Sequence, residues 1–69
     1  MFAKTEVAIG DRFTKVGSFR MPVWTVAKIY QYPSEPPHAS LTREGALRDS
    51  ITVSVPALID SSLFRRVNP

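Results

Sequence analysis

The sequence has no cysteine, only three glycines and a single histidine, His38. No disulfide can staple the chain, and one histidine cannot assemble a zinc site of the Cys/His kind. No cofactor or metal is expected, and the fold must rest on apolar packing or on a partner chain. No apolar run approaches the ~20 residues of a membrane span. The start, Met1-Phe2-Ala3-Lys4-Thr5-Glu6-Val7, lacks the apolar stretch of a signal peptide. A cytoplasmic location without membrane association is the expectation. Charge of one sign is also scarce: nine Lys and Arg against six Asp and Glu leave +3. There is no internal repeat and no low-complexity run.

What is present is 69 residues with 43% hydrophobic content, which suits one small globular domain and argues against disorder. A chain of this size buries only roughly 60% of its unfolded surface, so its core is thin. Glycine and proline punctuate it. Phe2 to Ala8 reads as an edge strand or a loose arm, and Gly10-Asp11 as a turn. Arg12 to Val16 alternates imperfectly, Gly17-Ser18 breaks it, and Met21-Pro22 closes a short loop.

Val23 to Tyr32 is the clearest strand, rich in β-branched and aromatic residues and free of Gly and Pro. Trp24 and Val26 share one face, whereas Ala27 and Ile29 fall on the other. The apolar set switches face partway along, which predicts a β-bulge or a strong bend near Ala27-Lys28. Pro33-Ser34-Glu35-Pro36-Pro37 reads as a rigid loop, and His38 to Thr42 as a short strand with Ala39 and Leu41 on one face. Arg43 to Leu47 reads as a hairpin connection with Gly45 at positive φ. A helix over Thr42 to Asp49 is the rival, at a cost of ~1 kcal/mol for a glycine inside it.

Arg48 to Val55 alternates best, with Ile51, Val53 and Val55 inward. Pro56 then opens a helical or 3₁₀ turn near residues 56–60 that places Leu58 over the barrel end. Leu63, Phe64 and Val67 belong to a last short strand. Five or six short strands and one helical turn predict an all-β domain, a small SH3-like barrel. The expected core is Val7, Ile9, Phe13, Trp24, Val26, Ile29, Leu41, Ile51, Val53, Leu58, Phe64 and Val67.

The run Gly10-Asp11-x-Phe13, a glycine at 17, then Trp24-x-Val26-x-x-Ile29 resembles the opening of SH3-like barrels of the KOW and Tudor kinds. That resemblance implies a small barrel that binds RNA, DNA or protein. It covers about twenty residues and carries over no binding residue. The segments Pro37-His38-Ala39-x-Leu41 and Ile51 to Phe64 resemble a small uncharacterised bacterial family, which implies a bacterial source and no particular activity.

Candidate sites are few. Tyr30 and Tyr32, two apart on a strand, share a face beside the prolines and can form an aromatic ledge, or simply cover the barrel edge. Trp24 is a core position, or else a stacking platform. Six of the nine cations are arginine: Arg12, Arg20, Arg43, Arg48, Arg65 and Arg66. Arg43 and Arg48 flank the hairpin tip. With Arg12 or Arg20 on the same side they form a phosphate-binding stripe; the alternative is scattered solubilising charge. Arg65 and Arg66 alternate faces and make no patch. Glu35, Glu44, Asp49 and Asp60 sit in different turns, so no carboxylate pair suits acid–base work. Ser54, Ser61 and Ser62 lack a nucleophile's setting; Asp60-Ser61-Ser62 is turn chemistry.

The expectation is therefore a binding module and not an enzyme, monomeric or weakly dimeric. A protein partner comes first. The alternatives are RNA or single-stranded DNA on an arginine and aromatic surface, and a homodimer paired through Phe2 to Ile9.

Overall fold

The computed structural model describes residues 6–67, with Leu47 described by its backbone alone. The elements are β1 (Arg12–Lys15), β2 (Val23–Tyr32), β3 (Glu35–Arg43), β4 (Ala46–Ser54), the short helix α1 (Val55–Leu58) and β5 (Phe64–Arg66). The strands form one antiparallel sheet in the order β4-β3-β2-β1-β5. The all-β architecture and the helical turn are those expected. β4 and β5 lie at opposite edges and do not pair with each other, so the sheet stays open. α1 packs on β3, β4 and β5 and spans part of the opening. Among the described residues no helix is long and apolar enough to cross a membrane.

The bulge in β2 falls where the face switch requires it. Val26 opposes Leu41 and Lys28 opposes Ser40, which leaves Ala27 as the extra residue. Ala27 is exposed, and Ile29 returns to the core side opposite buried Ala39. Without the bulge Ile29 would face solvent, because strand side chains alternate with a period of two.

The core is Phe13, Val26, Ala39, Leu41, Leu58 and Phe64, with Val7, Trp24, Ile29, Ile51, Val53 and Val55 packed around it. Two expected members differ. Ile9 is 69% exposed. It occupies a corner of the turn Ala8 to Asp11, which Asp11 N–H closes onto the Ala8 carbonyl at 3.1 Å. Gly10 follows it at φ +96°, the conformation this turn position demands. The turn docks through backbone, Gly10 N–H to the Val26 carbonyl at 2.9 Å, so Ile9's side chain has nothing to pack on. Val67 is half-buried at the sheet margin and lies outside the cluster.

The proline segment is also reassigned. Only Pro33-Ser34 forms the turn; β3 already begins at Glu35 and includes Pro36 and Pro37. Proline is tolerated there because β4 ends opposite His38, so Glu35 to Pro37 pair on one side only, beside a second register shift. The Arg43–Ala46 hairpin turns through Glu44-Gly45 as expected, and Glu44 N–H bonds the Val23 carbonyl at 2.8 Å. Ser54 caps α1: its hydroxyl accepts from Ala57 N–H at 3.3 Å, with Pro56 in the first turn and Leu58 fully buried. The edge strand expected over Phe2 to Ile9 lies partly outside the described residues, and Glu6 to Ile9 form no strand.

Candidate functional site: an aromatic ledge on the β2–β3 hairpin

The bulge sorts the side chains of the sheet into two faces. On the face away from the core, cross-strand rows run Thr25–Thr42–Ser50, then Lys28–Ser40–Thr52, then Tyr30–His38–Ser54. Small hydroxyls dominate these rows, and no ring stands among them until the last. There Tyr30 and Tyr32 stack with ring centroids 6.4 Å apart and 18° between planes. His38 meets the Tyr32 ring edge-on, at 5.8 Å and 72°. Both arrangements are those that ring quadrupoles favour. Tyr30 and Tyr32 remain 37% and 46% exposed. The two tyrosines thus form the ledge, and His38 joins it.

Two local features hold the ledge. The two-residue turn Pro33-Ser34 keeps Tyr32 opposite Glu35. His38 Nδ1 lies 2.9 Å from the Pro36 carbonyl. A carbonyl only accepts, so Nδ1 is the donor in this contact. Pro36 and Pro37 restrict φ on the approach to His38 and so stiffen the backbone that carries it.

The arginines gather elsewhere. Arg43 pairs with the opposite end of β2, at Trp24, and lies eight positions along β3 from Glu35, roughly 25 Å at strand rise. The ledge and an arginine stripe are therefore not one surface. At the arginine end several cations already hold carboxylates. Arg12 grips Glu44 with two bonds, Nε to Oε2 at 2.6 Å and Nη2 to Oε1 at 3.1 Å, and Thr25 Oγ1 donates to the same carboxylate at 3.1 Å. These bonds raise the Arg12 pKa further and hold Glu44 below its ordinary 4.5, the Arg12 hydrogen bond being the main cause. Arg43 pairs with Asp49. Arg20 lies in the β1–β2 loop with its guanidinium 5.5 Å from the Phe19 ring centroid. Arg48 is exposed on β4.

Trp24 packs against the core, with Nε1 buried and without an acceptor among the described residues. Its indole is not presented as a platform. Asp60 is the acceptor of a local turn, taking Ser62 N–H at 2.9 Å and Ser62 Oγ–H at 2.7 Å, which lowers its pKa. Among the described residues no three His, Asp or Glu side chains are placed to share a metal ion.

Sequence reasoning did not join His38 to the tyrosines. The signal was a register, Tyr30 opposite His38, that depends on how Pro36 and Pro37 are accommodated. No protein-family model, no curated protein and no solved structure matches the chain.

Proposed function

We propose that this chain is a protein-interaction module that docks a partner polypeptide on the ledge of Tyr30, Tyr32 and His38. The observation that carries the reading is three rings joined through Tyr32, which contacts both Tyr30 and His38, left on the outer face of a sheet whose core does not use them. Exposed, pre-ordered aromatic side chains supply contact area at low entropic cost and dominate many protein interfaces. The carboxylates support binding over catalysis: Glu44 and Asp60 in two different turns and Asp49 on β4 are each engaged by a different partner. We further assign the open five-stranded sheet to the small SH3-like barrels, in a bacterial cytoplasm, on the Gly10-Asp11 turn and the bulged second strand.

A nucleic-acid reading has one observation in its favour. The Tyr30–Tyr32 stack beside Lys28 resembles a surface on which bases stack. Against it, Arg12 and Arg43 are neutralised locally, and Arg43 lies at the far end of the hairpin.

The test is an NMR titration of the full chain with mixed RNA and single-stranded DNA at low and high salt. The protein reading expects no ring-proton shifts of Tyr30, Tyr32 or His38. Salt-sensitive shifts there would transfer the ledge to nucleic acid. In parallel, a Tyr30→Ala/Tyr32→Ala variant is expected to stay folded and lose its protein partner. Lost stability with unchanged partner binding sinks the ledge altogether.

A further inference from the structure

The end of the sheet remote from the ledge carries a second feature. Four large apolar side chains are exposed there: Val16 at 38%, Phe19 at 85%, Met21 at 52% and Leu63 at 47%. Val16 and Leu63 are neighbours, Val16 N–H donating to the Leu63 carbonyl at 2.9 Å. Phe19 and Met21 stand on the loop that links β1 to β2. The backbone that presents them is held in a rare conformation. Arg20 and Met21 take φ +65° and +44°, consecutive non-glycine residues in the left-handed region. Strain of this kind persists where the surroundings fix it, and it clusters at functional loops.

The charge around this tip is mostly positive. Lys15, Arg20 and Arg65 border it, and none has a carboxylate partner among the described residues. Of the acids nearby, Glu44 is paired with Arg12 and Asp60 accepts from neutral Ser62, so three unpaired cations face one unpaired carboxylate.

We infer that the β1–β2 loop is a second docking element, which seats Phe19 and Met21 in an apolar pocket rimmed by carboxylates on a partner protein. Three observations select this occupant. The unpaired cations call for acidic groups around the apolar contact. A second copy of this chain docked tip to tip would bring like charges together. A lipid surface is fluid and accepts any loop conformer, so it gives no role to a fixed, strained backbone. The inference does not depend on the ledge. If both hold, the chain bridges two partners from opposite ends of one sheet.

The test places the photoreactive p-benzoyl-phenylalanine at position 19 of the full chain, in the cells the protein comes from, with the exposed outer-face position 52 as control. The expected result is a protein adduct at 19 that is absent at 52, with the cross-linked site beside Asp or Glu. The purified partner must then bind the unmodified chain with an affinity that falls as salt rises. Phe19→Ser is expected to weaken that affinity roughly tenfold or more, while Thr52→Ala on the outer face changes it less than about twofold. Arg20→Gly provides an independent reading: it relieves the positive φ, so the fold is expected to melt higher while partner affinity falls. Adducts only to lipid, only to the chain itself or not at all overturn the inference. So does a partner whose affinity is indifferent to Phe19→Ser.

Discussion

Arg66 and Asp11, 55 residues apart in sequence, meet through Nη1 and Oδ2 at 2.9 Å and tie the last strand to the first turn. The same carboxylate oxygen accepts Ala8 N–H at 2.9 Å, and Arg66 Nη2 donates to the Glu6 carbonyl at 2.7 Å. The guanidinium also lies 4.9 Å from the centroid of buried Phe13, its cross-strand partner. One planar side chain thus joins β5, the Ala8–Asp11 turn and the edge of the core. Arg66→Ala is expected to destabilise the fold by roughly 1–2 kcal/mol, as for charged hydrogen bonds that are partly shielded. Arg66→Lys rescues little, because an ammonium cannot serve both acceptors and lie over the ring. Urea denaturation of Arg66→Ala, Asp11→Ala and the double variant checks this. Strict additivity of the two single effects would show that the pair is not coupled.

Gly45 sits at φ +82° in the β3–β4 turn, and a Cβ there would meet no atom within 4 Å. Any penalty for Gly45→Ala is therefore backbone conformation and not a clash. The expected loss is about 1–2 kcal/mol, the usual cost of a left-handed alanine. Asparagine tolerates this region better, so Gly45→Asn is expected to fall between the two. Thermal melts of the three proteins order them, and an alanine variant as stable as the parent contradicts the assignment of strain.

How far the fold could be read from residues alone depended on whether the deciding interaction was local. The bulge at Ala27 was legible because Val26 and Ile29 cannot share a face without it. The hairpin at Gly45 and the capped turn at Pro56 were legible because each residue restricts its own backbone. Ile9 was misplaced because hydrophobicity says nothing of a turn that docks by its backbone. Pro36 and Pro37 were read as loop because their tolerance in β3 depends on where β4 stops, a non-local fact. For the same reason the tyrosine ledge was legible from a spacing of two. His38's place in it required the register, and the separation of ledge from arginines required the order of the strands.

Leu58 tests how much of the stability the helical cap supplies. It is fully buried and packs in the core from a helix of four residues. Leu58→Ala is expected to cost about 2–5 kcal/mol. A chain of this length is stabilised by only about 3–10 kcal/mol in total, so the variant is expected to be partly or wholly unfolded near room temperature. Ser54→Ala removes the bond to Ala57 N–H and is expected to cost only ~1 kcal/mol. Circular dichroism melts separate the two. A mild effect at Leu58 would mean that the open side of the sheet does not need its cap.

Acid offers a last handle, through Glu44. Its pKa in the folded chain is lowered below the ordinary 4.5, first by the Arg12 hydrogen bond, with Thr25 adding to it. As pH falls, the unfolded chain takes up this proton before the folded chain does. Stability from the pair is therefore fully present above the ordinary value and is lost as pH drops through the folded one. Asp60, lowered by Ser62, acts in the same direction. Both groups are solvent-exposed, so salt is expected to weaken the effect. Melting temperatures between about pH 3 and pH 6 are expected to fall on acidification in the parent. The slope is expected to be shallower in Glu44→Gln, which cannot titrate. An unchanged slope in that variant would mean that the Arg12–Glu44–Thr25 cluster does not distinguish folded from unfolded chain, and the acid response would then belong to Asp60.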